Sequence, residues 1–96
     1  MDVESKIAAL LELCSKLELQ VRPERLGGSG GGLCRLKSKS IMFIDLDAEP
    51  EARYERLAAG LAGWPGIDDL YVVPEVRADL DRLKKLHNSL YYNKKL

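Results

Sequence analysis

The sequence predicts an α+β domain: a small, mostly antiparallel sheet of three to four strands with three helices packed against it. Three observations lead there. Apolar residues recur at three- and four-residue spacing in three separate segments. Short stretches with a period of two flank a glycine-rich run. A continuous apolar run, Ile41-Met42-Phe43-Ile44, lies at mid-chain.

The first helix is read from Val3, Ile7, Leu10, Leu11, Cys14 and Leu17, which form one apolar stripe, with Asp2 placed to cap it. Leu19-Gln20-Val21-Arg22 then alternates as a half-buried strand, which Pro23 is expected to end. Leu33-Cys34-Arg35-Leu36 is the second strand, Lys37-Ser38-Lys39-Ser40 a polar tip, and Ile41–Ile44 a third strand. The short tip makes strands two and three a hairpin, and the unbroken apolar run makes the third central and covered on both faces. Asp47 is the expected N-cap of a second helix, with Glu49, Pro50 and Glu51 in its first turn. Tyr54, Leu57, Ala58 and Leu61 mark its buried face and Gly63 its end. Residues 67–73 read as a last edge strand or an extended lead-in. Pro74 opens a third helix with Val76, Leu80, Leu83, His87 and Leu90 at helical spacing, and residues 88–96 read as a frayed tail.

Between the first two strands lies Leu26-Gly27-Gly28-Ser29-Gly30-Gly31-Gly32-Leu33. A P-loop ends in Gly-Lys-Ser/Thr before a helix, whereas Leu33-Cys34-Arg35-Leu36 follows here and alternates like a strand. A dinucleotide fingerprint starting at Gly28 and Gly30 would need glycine where Leu33 stands. Gly27, Gly28, Gly30, Gly31 and Gly32 are therefore read as a structural turn that admits positive φ, with Leu26 and Leu33 expected to anchor it in the core.

The 96 residues make one domain, 1–96, with 46% hydrophobic and 31% charged residues. Fifteen basic residues balance fifteen acidic ones, which argues against a nucleic-acid partner. No run approaches the length of a membrane span, and the acidic start Met1-Asp2-Val3-Glu4 does not resemble a signal peptide. Cys14 and Cys34 fall on different elements and are read as buried free thiols in a cytoplasmic protein.

An apolar strand delivering Asp45-Leu46-Asp47 resembles the first motif of the haloacid-dehalogenase phosphatases, whose paired aspartates act as nucleophile and acid/base around magnesium. The position two residues on holds Glu49 instead of the family's Thr or Val, and 96 residues are too few for that doubly wound fold. His87 is the one histidine, too few for an ordinary zinc site, and Ser29 lacks the spacing of a nucleophile elbow.

The element order and the segment Leu57-Ala58-Ala59-Gly60-Leu61-Ala62-Gly63 resemble the core of the ImmA/IrrE family of zinc metallopeptidases, which carries Leu-Ala-His-Glu-Leu-Gly-His on that helix. Leu70-Tyr71-Val72-Val73-Pro74 is similar to the apolar run and proline that follow the family's third ligand. The family's zinc histidines fall on Ala59 and Gly63 and its catalytic glutamate on Gly60. The resemblance, over residues 3–80, thus implies a scaffold without peptidase activity.

These readings converge on a small non-enzymatic protein without cofactor. Its expected partner is protein, including itself, through Leu13, Leu86, Leu90 and Tyr91 on the terminal helices. The alternative is a divalent-cation-dependent enzyme or ligand-binding protein using Asp45, Asp47, Asp68 and Asp69.

Overall fold

Helix α1, Val3–Lys16, starts where Asp2 accepts a 2.7 Å hydrogen bond from the Ser5 amide, so the sequence-level cap forms as expected. It ends in a Schellman turn: the Leu19 amide donates to the Cys14 carbonyl at 2.9 Å and the Glu18 amide to Ser15 at 3.1 Å. Glu18 takes φ +56 to close it. The computed structural model describes the backbone of residues 1–94 and side chains through Leu86.

The chain continues through β1 (Gln20–Glu24), β2 (Gly32–Leu36), β3 (Lys39–Asp45), α2 (Pro50–Ala62), a 3₁₀ turn at Ile67–Asp69 and α3 (Pro74–Lys94). Among the described residues the strands form one sheet in the order β1-β3-β2. This is the expected α+β class, with a mixed rather than mostly antiparallel sheet. β2 and β3 are an antiparallel hairpin, whereas β1 runs parallel to β3 with Val21 beside Met42. The reason is topological. β3 enters between β1 and β2, so the glycine run must cross the C-terminal end of β3 to join its two neighbours.

Three local readings change with this arrangement. β1 passes through Pro23 because β1 is an edge strand. The adjacent Glu24 carbonyl faces inward and accepts from the Leu46 amide at 2.8 Å, so the missing N–H of Pro23 faces the open edge. The hairpin tip is only two residues, Lys37 and Ser38, at φ +48 and +64, and Lys39 and Ser40 belong to β3. The stretch 67–73 forms no strand. It is the 3₁₀ turn followed by an extended lead-in to α3.

The helices cover one face of the sheet. Met42 and Ile44 join Ile7, Leu10, Cys14, Leu57, Leu61, Val76 and Leu80 in the core. Phe43, alternating to the opposite face, stays half-buried with the Arg22 guanidinium 5.7 Å from its ring centre, so β3 is central but not covered on both faces. The three helices are also tied by polar contacts. The Tyr54 hydroxyl on α2 donates to Asp79 on α3 at 2.7 Å, Lys6 on α1 reaches the same Asp79 oxygen at 3.1 Å, and the Lys6 ammonium lies 4.7 Å from the Tyr54 ring centre. Among the described residues no helix is long and apolar enough to cross a membrane.

Two expectations about exposure are overturned. Leu13 is buried in the core, because the lead-in to α3 runs beside α1 and Val72 and Val73 border the same hollow as Leu13. Cys34 is exposed, because it alternates to the uncovered face of an edge strand, whereas Cys14 is buried.

Candidate functional site

A dense polar cluster is built where β3 ends beneath the glycine run. A carboxylate there is forced by topology. Asp45 is the last residue of β3, and residues 25–31 must pass over it from one edge strand to the other. Asp45 is 2% exposed. Its Oδ1 accepts from the amides of Leu26 at 3.0 Å and Asp47 at 2.9 Å. Its Oδ2 accepts from Gly28 at 2.7 Å and Gly30 at 3.0 Å. Burial works to raise its pKa, but the four amides together outweigh it and hold the carboxyl below its ordinary value.

The rest of the cluster continues the same plan. Asp47 Oδ2 accepts from the Gly27 amide at 3.0 Å and its Oδ1 from the Arg25 guanidinium at 2.9 Å. Arg56 on α2 donates through Nη1 to the carbonyls of Gly28 and Gly30 at 3.0 and 2.6 Å. The run is thus held by its donors from β3 and by its acceptors from α2. The glycines form a ring of inward amides that takes an anion, and the anion is the protein's own Asp45.

The conformation explains the composition. Gly27, Gly28, Gly31 and Gly32 have φ between +85 and +108, the left-handed region that side chains rarely adopt. At Gly31 an added Cβ would also lie 3.3 Å from the Asp45 amide nitrogen and 3.4 Å from the Phe43 carbonyl oxygen. At Gly30, where φ is not positive, the limit is space, since a Cβ would meet that of Leu26 at 2.7 Å. The anchors are these polar contacts rather than the flanking leucines: Leu26 and Leu33 are 42% and 40% exposed.

Asp47 does not cap α2. Glu49 occupies that position without a side-chain bond, since the Asp47 carboxylate is turned back onto Gly27. Asp68 lies in the 3₁₀ turn, paired with Arg77 and with Lys84 at 3.2 Å each, and Asp69 is exposed beside it. The four acids that a metal site would need are therefore split between two places. Among the described residues no three metal-ligating side chains gather.

A second feature lies along β2. Ala59 and Gly60 of α2, Gly63 at its C-terminal cap, and Gly31, Gly32 and Leu33 line one groove of about 650 Å³. Gly60 brings α2 onto the sheet: a Cβ there would meet the Met42 methyl at 2.7 Å and the Leu33 Cβ at 3.1 Å. On the outer side, Leu26, Gly31, Gly32, Leu33, Cys34 and Phe43 border a hollow of about 300 Å³. Leu36, at the end of β2, is 48% exposed. Of the expected interface residues, Leu86 is exposed and Leu13 is not, while the side chains of Leu90 and Tyr91 and the tail from residue 88 lie outside the region described in side-chain detail. Sequence reasoning placed Leu33 in the core as an anchor of the glycine run and did not single out Leu36, whose exposure depends on β2 being an edge strand.

No known protein family, curated protein or solved structure matches this chain.

Proposed function

We propose that this chain is a non-enzymatic interaction module whose partner is protein, including a second copy of itself. One observation carries the reading. Leu33 and Leu36 stand exposed on the two faces of the edge strand β2, with Leu26 exposed in its incoming loop, and exposed apolar side chains along an unpaired edge mark contact sites. The alternative, a cation-dependent enzyme at Asp45 and Asp47, has less support. Both carboxylates already accept from Leu26, Gly27, Gly28, Gly30, Asp47 and Arg25. A cation there would have to displace the bonds that shape the loop. The even balance of charge favours a protein surface over nucleic acid.

Sedimentation of the purified chain across micromolar concentrations tests this. The expected result is a reversible, concentration-dependent rise in mass. A monomer throughout, with no change in melting temperature on adding magnesium or manganese, removes self-association and leaves a partner of another kind. A melting temperature raised by either ion would instead favour the cation-binding alternative.

One further observation favours kinship with the ImmA/IrrE scaffold. The three positions where that family carries its zinc histidines and glutamate, Ala59, Gly63 and Gly60, all border the same groove beside β2. On this reading the groove persists while its chemistry has been lost.

A further inference from the structure

The outer edge of β2 has a definite hydrogen-bond phase. In a two-residue hairpin the pair flanking the turn is hydrogen-bonded, and bonded and non-bonded pairs then alternate. Leu36 pairs with Lys39, Cys34 with Ile41 and Gly32 with Phe43. Those three residues of β2 therefore direct their amides and carbonyls to β3. Leu33 and Arg35 direct theirs away from the sheet, to an edge with no neighbouring strand among the described residues. β2 is exposed from Leu33 to Leu36, and among the described residues no bulge, proline or covering helix blunts it.

We infer that a second copy of this chain pairs with this edge, β2 against β2 in antiparallel register centred on Cys34, giving a continuous six-stranded sheet. This rests on the self-association reading above and names its surface. The register follows from phase and charge. An antiparallel two-fold pair must bring outward-facing residues opposite each other, which restricts the centre to Leu33, Cys34 or Arg35. Centring on Arg35 sets two guanidinium groups opposite each other, a destabilising arrangement. Centring on Leu33 places Arg35 against Gly31, outside the strand. Centring on Cys34 sets Leu33 against the partner's Arg35 and the reverse, so that four main-chain hydrogen bonds form. The arginine stem then lies along a leucine with no like charge directly opposite.

The side chains fit the same register. Gly32 falls opposite the partner's Leu36, on the face of the sheet that the helices leave open. The hollow of about 300 Å³ bordered by Gly32, Cys34 and Phe43 is where that leucine arrives. The 48% exposed Leu36 of this chain enters the partner's hollow in return. The helix layer is compatible as well. Gly60 straddles Met42 of β3 and Leu33 of β2. With strands about 4.8 Å apart, α2 sits about 5 Å from a two-fold axis outside β2. Its mate is then about 10 Å away, a normal packing distance for two helices, with Ala59 and Gly63 bordering the groove between them.

The test uses the full chain and two variants. Arg35→Pro removes an outward N–H that the hairpin does not use. Leu36→Glu charges the exposed knob. Circular dichroism checks that each folds, and Leu36→Glu keeps the test decisive if the proline does not. The proposal expects a wild-type dimer whose dissociation constant rises about tenfold or more in each folded variant. It also expects the amide exchange of Leu33 and Arg35 in the wild type to slow as concentration brings the dimer together. A dimer that persists in Leu36→Glu, with those two amides still exchanging freely, overturns the β2 edge while leaving self-association standing. A wild-type chain that stays monomeric overturns both, and a different protein captured along β2 would do the same to the self-pairing.

Discussion

Replacing Gly31 with alanine isolates what the glycine run does. Its φ of +99 lies outside the ordinary basins of an L-residue, and its Cβ would face backbone, the Asp45 nitrogen at 3.3 Å and the Phe43 oxygen at 3.4 Å. Holding a side-chain-bearing residue in left-handed backbone costs about 1–2 kcal/mol. The crowding adds to this, because neither contacting atom belongs to a side chain that can rotate away, and both lie on the central strand. The loss of unfolded-state freedom returns about 0.4–1 kcal/mol. The net expectation is a loss of about 2 kcal/mol, which in a domain of this size lowers the melting temperature by about 10 °C. Urea unfolding followed by circular dichroism reads it. Two companions separate the causes. Gly27→Ala has φ +85 but nothing within 4 Å, so it measures the torsional part alone. Gly63→Ala has φ −108 and open space, and is expected within about 0.5 kcal/mol of wild type. Should Gly31→Ala match Gly63→Ala, the run is a slack connector and the account of its clamping by Asp45 and Arg56 is wrong.

Other outcomes follow from the same geometry. Glu18→Gly should stabilise the fold by about 1 kcal/mol in thermal unfolding, since Glu18 holds the left-handed position of the α1 Schellman turn at φ +56. Gly60→Ala should destabilise despite better helix propensity, because its Cβ would press on the rigid Leu33 Cβ at 3.1 Å and on the fully buried Met42; a gain in the urea midpoint would contradict that. Asp45 has a lowered pKa in the folded chain, so its contribution is complete above its unfolded value near 3.8 and is lost as pH falls through the folded value. Stability should therefore drop in acid, and Asp45→Asn should be less stable at neutral pH with a shallower acid dependence. Asp2, Asp68 and Asp79 are also lowered and keep some slope in that variant. A thiol reagent at pH 8 should label exposed Cys34 quickly and leave Cys14, which burial pushes up to about 11, unreacted until the chain unfolds; equal rates would refute the burial assignment.

Helix α1 with its Asp2 cap, the hairpin of β2 and β3, the presence of α2, the proline start of α3, and the α+β class were legible in the chain itself. They depend on periodicity and on cap and turn chemistry, which act between residues a few positions apart. The need for glycine between the first two strands was legible in the same way. What holds that run was not. Asp45 and Asp47 look, in order along the chain, like a catalytic pair or a helix cap. Only the insertion of β3 between β1 and β2 brings the amides of residues 26–30 onto them. The burial of Leu13 and the exposure of Cys34 belong to the same class of fact. Alternation along a strand or helix tells which residues share a face, and the sequence determined that much. Which face meets the core is decided by segments distant in the chain, the lead-in to α3 beside Leu13 and the placing of the helices on one side of the sheet. Those contacts form only when the whole chain has closed on itself.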